Sequence, residues 1–451
     1  MKLHVYVHDQ PVATLESDDN FRHVLTYHPE VVGERFVSLL MPVRTESYVW
    51  PELHPIFRMN LPEGFLLSVL QEELGPHVGA SPLSLLSVVG RNAIGWVKVA
   101  APGADPTRAP VPFELQDVLR GDNSEKAFVE LVRRHAVSGV SGVVPKFLSP
   151  DSSSAPRAGS PAALGEHRKG TLATERYIIK GTTSSLPGVA LNEHLCMEVS
   201  RKAGFNTAST EVSDDGQVLA VQRFDFEADG RTHKGMEDLC SLLTLRPEQK
   251  YESTWERVVN RIKEVVPDLT QQNTILSDLA NVLLLTYALR NADCHTKNLA
   301  LLYSSRQHIE LAPVYDMLTI SVYDNYINNP PALPIEGRST WTPGKTLERF
   351  LQARCNLKPS QTRQRVERIC EAIVEVSPQV IEAAKRYAAF HETGKRMLHA
   401  WNEGMNSLRL QRTWSLPSLA GTIARASFSD PLPRQAAKRE KLGRSPLLGQ
   451  R

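Results

Sequence analysis

With 451 residues, 41% of them hydrophobic and 23% charged, the chain has the make-up of a soluble globular protein and is too long for one ordinary core. Two or three domains are expected, and a formal net charge of +2 excludes a molecule built throughout as a polyanion binder while leaving room for a local basic surface. The five cysteines (Cys196, Cys240, Cys294, Cys355, Cys370) are odd in number and lack metal or redox spacing, which argues against a disulfide scaffold and for reduced thiols in a cytoplasmic protein.

The opening MKLHVYVHDQ has no apolar h-region of a signal peptide. Its Leu3, Val5 and Val7 alternate as a half-buried strand should. Residues 35–41 and 96–100 read as further strands, and 64–73 has helical periodicity, so residues 1–110 form a small α/β unit closed by the Pro-rich stretch 101–112. Residues 150–170, rich in Ser, Pro, Ala and Gly, read as a mobile surface loop. Strands are expected at 176–180 and 218–224, with a helix at 191–203 between them that Gly204 ends in a left-handed cap. Together 111–228 make a strand-rich unit. Beyond residue 235 the pattern turns mostly helical, with apolar stripes at 255–266, 274–290, 363–376 and 378–393. This helical part is taken as 229–428, and 429–451 as a basic disordered tail. The longest apolar run, at 282–285, is far too short to span a bilayer, so no membrane association is expected.

The chemistry concentrates in NADCHTKNLALLYSSRQHIELAPVYD, residues 291–316. An apolar helix delivers the chain to Asp293, and two strands then form a hairpin. Asn298 precedes the first strand and Asp316 follows the second, and a hairpin brings its two ends side by side. One carboxylate that accepts a hydroxyl proton, with an Asn/Asp pair of hard oxygen ligands, is what a Mg-dependent phosphoryl transferase needs. Taken singly, these residues are also ordinary formers of turns.

Lys180 closes an apolar strand. It is either a snorkelling surface lysine or a cation reaching nucleotide phosphates or a carboxylate, with Glu193 as candidate partner. The stretch SGVSGVVPK, 138–146, is either a plain turn or a loop presenting N–H groups to phosphates; it is not a Walker A motif. Gln222, Arg223 and Phe224 stand where a kinase hinge would meet adenine. His295 has only the adjacent Cys294 as a neighbour of that kind, with no metal-ligand spacing, and reads as ordering its loop rather than binding metal.

Taken together, the chain resembles the HipA family of toxin kinases. The matching pieces run in family order: FRMNLPEGFL (57–66), VVGRNAIGWVKV (88–99), VSGVVPKFL (140–148), YIIK (177–180), NEHLCMEVSRKAG (192–204), LAVQRFD (219–225), NADCHTKNL (291–299) and PVYDM (313–317). Lipid kinases share the D-x-H-x-x-N then D order but lack the N-terminal pieces. The resemblance implies an α+β, bilobal protein-kinase-like fold related to lipid kinases, with a small N-terminal α/β unit and a larger helical C-terminal lobe.

It further implies Asp293 as catalytic base, Asn298 and Asp316 as Mg2+ ligands, and ATP contacts from Val140, Ser141, Gly142, Val143, Lys146, Lys180, Gln222, Phe224, His295 and Lys297. Family members phosphorylate a serine at the start of the phosphate loop. Here the usual position falls nearest Gly139, leaving Ser138 and Ser141 as autophosphorylation candidates, and Val144 replaces the common Gln of that loop. The family acts as a toxin restrained by a small helix-turn-helix antitoxin (HipB-like), the complex binds operator DNA, and known targets are aminoacyl-tRNA synthetases. Two alternatives stand beside this reading: a kinase-fold corepressor with a vestigial ATP site, and a small-molecule or lipid phosphotransferase.

Overall fold

The computed structural model describes residues 1–18, 22–61, 81–106, 114–124, 126–128, 130–131, 170–411 and 413–426. The expected helix at 64–73, the loop at 150–169, the phosphate loop at 138–146 and the basic tail lie outside the described residues.

The N-terminal unit is built on a five-stranded antiparallel sheet in the order β4-β3-β2-β1-β5. Its strands are β1 (Lys2–Val7), β2 (Gln10–Ser17), β3 (His23–Tyr27), β4 (Tyr48–Trp50) and β5 (Val97–Ala100). Leu3, Val5 and Val7 all face the core, as their alternation requires. His8 and Asp9, with φ of 50° and 60°, make the tight turn into β2, the double positive φ that matches strand twist in a two-residue hairpin. Helix α1 (Pro55–Met59) and helix α2 (Pro82–Val89), which Ser81 caps through the Ser84 N–H, accompany the sheet.

The expected strand at 35–41 is not one: only an isolated bridge joins Ser38 and Met41. Its N–H groups go to side chains instead of a ladder. Val37 N–H donates to the Tyr27 hydroxyl and Leu39 N–H to the Glu237 carboxylate, each at 2.7 Å.

Strands β6 (Gly170–Ala173), β7 (Tyr177–Gly181), β8 (Thr210–Val212) and β9 (Val218–Gln222) form an antiparallel sheet in the order β6-β7-β9-β8. Helix α3 (Leu115–Arg120) and helix α4 (Val189–Lys202) pack on it, and Gly204 ends α4 with φ of 77°. A third sheet, β10 (Gly235–Asp238), β11 (Ala300–Ser305) and β12 (His308–Leu311), holds the anticipated hairpin plus one strand the sequence did not announce. The rings of Phe36 and Trp96, from the N-terminal unit, meet Tyr303 of β11 at 5.4 and 4.9 Å, so these two sheets share one core.

The helical part comprises α5 (Leu239–Leu242), α6 (Trp255–Val265), α7 (Leu269–Ala288), α8 (Lys345–Cys355), α9 (Pro359–Arg386), α10 (His391–Ser407) and α11 (Ala420–Arg425). The sequence reading broke α9 at Pro378, but the helix runs through it. Proline leaves the Val374 carbonyl without its N–H partner. The Ser377 hydroxyl supplies the missing donor at 2.8 Å. Helices α7 and α10 touch where Gly404 passes Ala288, and any Cβ on Gly404 would strike the Ala288 carbonyl. That contact fixes the end of α7, from which the polar loop departs.

Candidate active site

After α7 the chain turns at Arg290, whose φ is 54°. Asn291, fully buried, accepts the Asp293 N–H at 3.0 Å. The Asp293 carbonyl then accepts two donors, His295 N–H at 2.9 Å and the Asn298 side-chain NH2 at 2.8 Å. Because a carbonyl can only accept, the Asn298 amide nitrogen must face it, and Oδ1 points the other way, available to a cation.

Asp316 is held independently. Val314 N–H donates to Asn206 O at 2.8 Å and Ala208 N–H to Val314 O at 3.0 Å, tying the segment after β12 to the stretch between α4 and β8. Asp316 itself has φ of 52°, a left-handed conformation that costs an L-residue energy and is tolerated where surroundings enforce it. Its Oδ1 accepts the Lys180 ammonium at 2.8 Å, and the same ammonium donates to Glu193 Oε1 at 2.5 Å. Of the two open possibilities for Lys180, the structure shows the paired one.

His295 is buried, and burial holds its imidazole down at about 4; Lys250 and Lys297 act the same way, against Asp293 and Asp316. It is therefore neutral near pH 7. Its Nδ1 has no hydrogen-bond partner among the described residues, and Nε2 stands 3.9 Å from Asp293 Oδ1. Tyr251, which the sequence reading missed, donates its hydroxyl to the same Oδ1 at 2.5 Å. Burial first, then the charges of Asp293 and Asp316, push this phenol far above its ordinary 10.0, so it stays a donor. Nothing in the local sequence announces Tyr251, which lies 42 residues before its partner.

A cavity of about 170 Å3 opens beside Lys180. Ile178, Val221, Met236, Phe224 and Tyr315 give it apolar walls, and Asp238 and Lys297 join Lys180 as polar groups. Phe224 and Tyr315 rings sit 5.3 Å apart, and the Tyr315 hydroxyl donates to Lys297 O at 2.8 Å. The Gln222 side chain is exposed, whereas Arg223 and Phe224 line the cavity. Arg223 binds Asp225 through two nitrogens, at 2.9 and 2.5 Å. An apolar slot ending in a lysine fits a planar base with a charged tail.

The structure thus brings together Lys180, Phe224 and Lys297 at one cavity, Asp293, His295 and Asn298 in one loop, and Asp316 with Lys180. Ser138, Val140, Ser141, Gly142, Val143 and Lys146 lie outside the described residues. For Mg2+ the donor set is apt: the oxygens of Asn298 and Asp316 are hard ligands, and the ion takes only one or two from protein when phosphates complete its shell. Among the described residues no cage of three or more His, Cys, Asp or Glu side chains exists for a softer metal. No described helix is long and apolar enough to cross a membrane.

Residues 3–100 match the HipA N-terminal domain, and residues 138–377 match the HipA-like C-terminal domain. The Sinorhizobium fredii protein Y4dM, named as a candidate kinase, is 25% identical over 357 residues, covering 71% of this chain and 78% of its own length. Y4mE of the same organism, similarly named, is 27% identical over 294 residues, covering 64% and 69%. Among solved structures, a chain from the Shewanella oneidensis MR-1 complex of HipA, HipB and operator DNA matches with a TM-score of 0.64 at 18% identity, covering 90% of this chain and 96% of that one. A likeness at that identity speaks for the fold.

Proposed function

This chain belongs to the HipA family, and from that premise we propose that it is an ATP-dependent Ser/Thr protein kinase with two lobes closing on the cavity beside Lys180. The observation that carries the proposal is the single ammonium of Lys180 shared by Glu193 and Asp316, next to the Asp293–Asn298 loop. Glu193 and Lys180 form the orienting pair that places a cation on nucleotide phosphates. Asn298 Oδ1 and Asp316 would hold Mg2+, which supplies charge neutralisation between the phosphates when bound. Phe224 walls the adenine, with Gln222 and Arg223 at the strand end, and residues 140–146 would cover the phosphates, with His295 and Lys297 contributing from the loop.

Asp293 accepts the proton of the acceptor hydroxyl while that oxygen bonds the γ-phosphorus and ADP leaves. By family likeness the acceptor is a serine of an aminoacyl-tRNA synthetase, and Ser138 or Ser141 is the self-inhibiting site. A phosphate there would bring about two negative charges to where ATP brings its own. The same likeness supplies the toxin role, restraint by a helix-turn-helix partner, and operator DNA as a contact of the complex.

The test is mass spectrometry of the intact protein after incubation with Mg-ATP, beside Asp293→Ala. Phosphoserine in the wild type alone supports the kinase. ATP binding by calorimetry with no phosphate on itself directs the search to another acceptor. Absence of both phosphate and ATP binding would favour a corepressor with a vestigial site.

A further inference from the structure

Asp293 is not held by its own loop alone. A strap from Arg246 to Glu252 lies against that loop. A 3-10 turn, Pro247–Gln249, stiffens it: Gln249 N–H donates to Arg246 O at 2.9 Å, and Glu252 N–H to Gln249 O at 2.8 Å. The strap docks through backbone, since Lys250 O accepts both the N–H and the hydroxyl of Thr296, at 3.2 and 2.9 Å, and Thr296 is fully buried. It docks through side chain as well. The Tyr251 ring meets His295 edge-on at 5.0 Å, and its hydroxyl reaches Asp293 Oδ1 at 2.5 Å.

The two carboxylate oxygens of Asp293 therefore differ. Oδ1 takes the phenol and faces His295, while among the described residues no hydrogen bond reaches Oδ2. We propose that Tyr251 is a positioning residue for Asp293: it ties down one carboxylate oxygen and so presents the other to the acceptor hydroxyl. The inference rests on the kinase reading above and adds to it a group outside the loop that bears the base.

A carboxylate hinged at one bond sweeps through many orientations, and only a narrow set accepts a proton as the new O–P bond forms. The phenol removes that freedom without adding a charge. The opposite role, a gate standing in the acceptor's place, would need the ring to leave. The Lys250–Thr296 bonds on one side and the His295 contact on the other hold it in place.

Tyr251→Phe tests this in the intact chain with Mg-ATP, reading initial transfer of labelled γ-phosphate to the protein itself and to water. The ring is 46% exposed and is retained, so the fold should survive, and a matched thermal midpoint checks that. The expected result is a kcat lowered about 10- to 100-fold with KM for ATP unchanged. In an Asp293→Asn background the same change should cost nothing further, because a positioning group has nothing left to position. An unchanged or raised rate in Tyr251→Phe, or an equal loss in both backgrounds, overturns the inference while leaving the kinase standing. A wild type that transfers no phosphate and binds no ATP overturns both.

Discussion

The Lys180 ammonium stands 2.5 Å from the carboxylate of Glu193, joining strand β7 to helix α4 at a place where Glu193 keeps only 1% of its surface exposed. A carboxylate so buried depends on its cation, because removing one member of such a pair leaves a desolvated charge behind. Lys180 also holds Asp316, so the cluster joins the strand-rich sheet to the segment after β12.

Lys180→Met keeps the aliphatic stem and deletes the charge. It should lower folding stability by about 3 kcal/mol, read from urea-unfolding curves, and abolish measurable ATP binding by calorimetry. Glu193→Gln should be milder, since the amide oxygen still accepts the ammonium. If Lys180→Met unfolds at the wild-type midpoint, the cluster carries no structural weight.

Glu237 gives a second prediction, in pH. It is fully buried in β10 and accepts Leu39 N–H, the Ser38 hydroxyl and the Tyr303 hydroxyl, at 2.7, 2.7 and 2.8 Å. Burial raises this carboxyl from 4.5 to about 7, outweighing those three donors, and Asp238 adds to the rise. Since the folded value lies above the unfolded one, the folded state binds the extra proton between 4.5 and 7. Its stabilisation is complete below 4.5 and is lost as pH climbs towards 7, by up to about 3 kcal/mol. Glu237→Gln cannot ionise, and the Ser38 hydroxyl can turn to accept from its amide. The variant's stability relative to wild type should therefore rise across that window in a urea-unfolding pH series. A flat difference would show that Glu237 does not titrate there.

Much of this was legible in the sequence, and the failures have physical causes. Alternation marked β1, and apolar stripes marked α6 and α7, because those elements bury one side or most sides. Asp293, Asn298 and Asp316 could be singled out because they flank β11 and β12, a hairpin that alternation and a polar turn announce. Strand β10 was not. Gly235–Asp238 reads GMED, yet all four residues are buried: Glu237 is held by Ser38 and Leu39, far away in the chain, and Asp238 caps α5 through the Ser241 N–H. Pro378 misled for the opposite reason: the neighbouring Ser377 repairs a break that the proline alone would cause. Tyr251 was invisible because only the folded strap brings it to Asp293.

Asp225 gives the third prediction and the opposite pH slope. It pairs with Arg223 in a forked contact, both side chains buried, and its Oδ2 also accepts Gly95 N–H at 2.8 Å and the His233 ring N–H at 3.3 Å. Gly95 belongs to the N-terminal unit, and Arg223 donates to Ala93 O of the same unit at 3.3 Å, so this pair fastens that unit to the wall of the cavity. Burial works to raise the Asp225 carboxyl, but the bonds from His233 and Arg223, the guanidinium charge and Gly95 N–H together hold it well below the usual carboxylate range. A depressed folded value means that its stabilisation is present above the ordinary 3.8 and fades as pH falls further. Asp225→Asn preserves shape, keeps an acceptor for Gly95 and leaves Arg223 buried without a carboxylate, at a cost of about 3 kcal/mol near pH 7. Urea unfolding of variant and wild type at pH 7 and pH 3 checks this. The gap should narrow at pH 3, where the unfolded wild type takes up a proton at Asp225 that folding must then expel. The Glu237 variant gains on wild type as pH rises and the Asp225 variant falls behind it, so a single pH series on both separates a carboxyl that burial forces to keep its proton from one that its partners force to give it up.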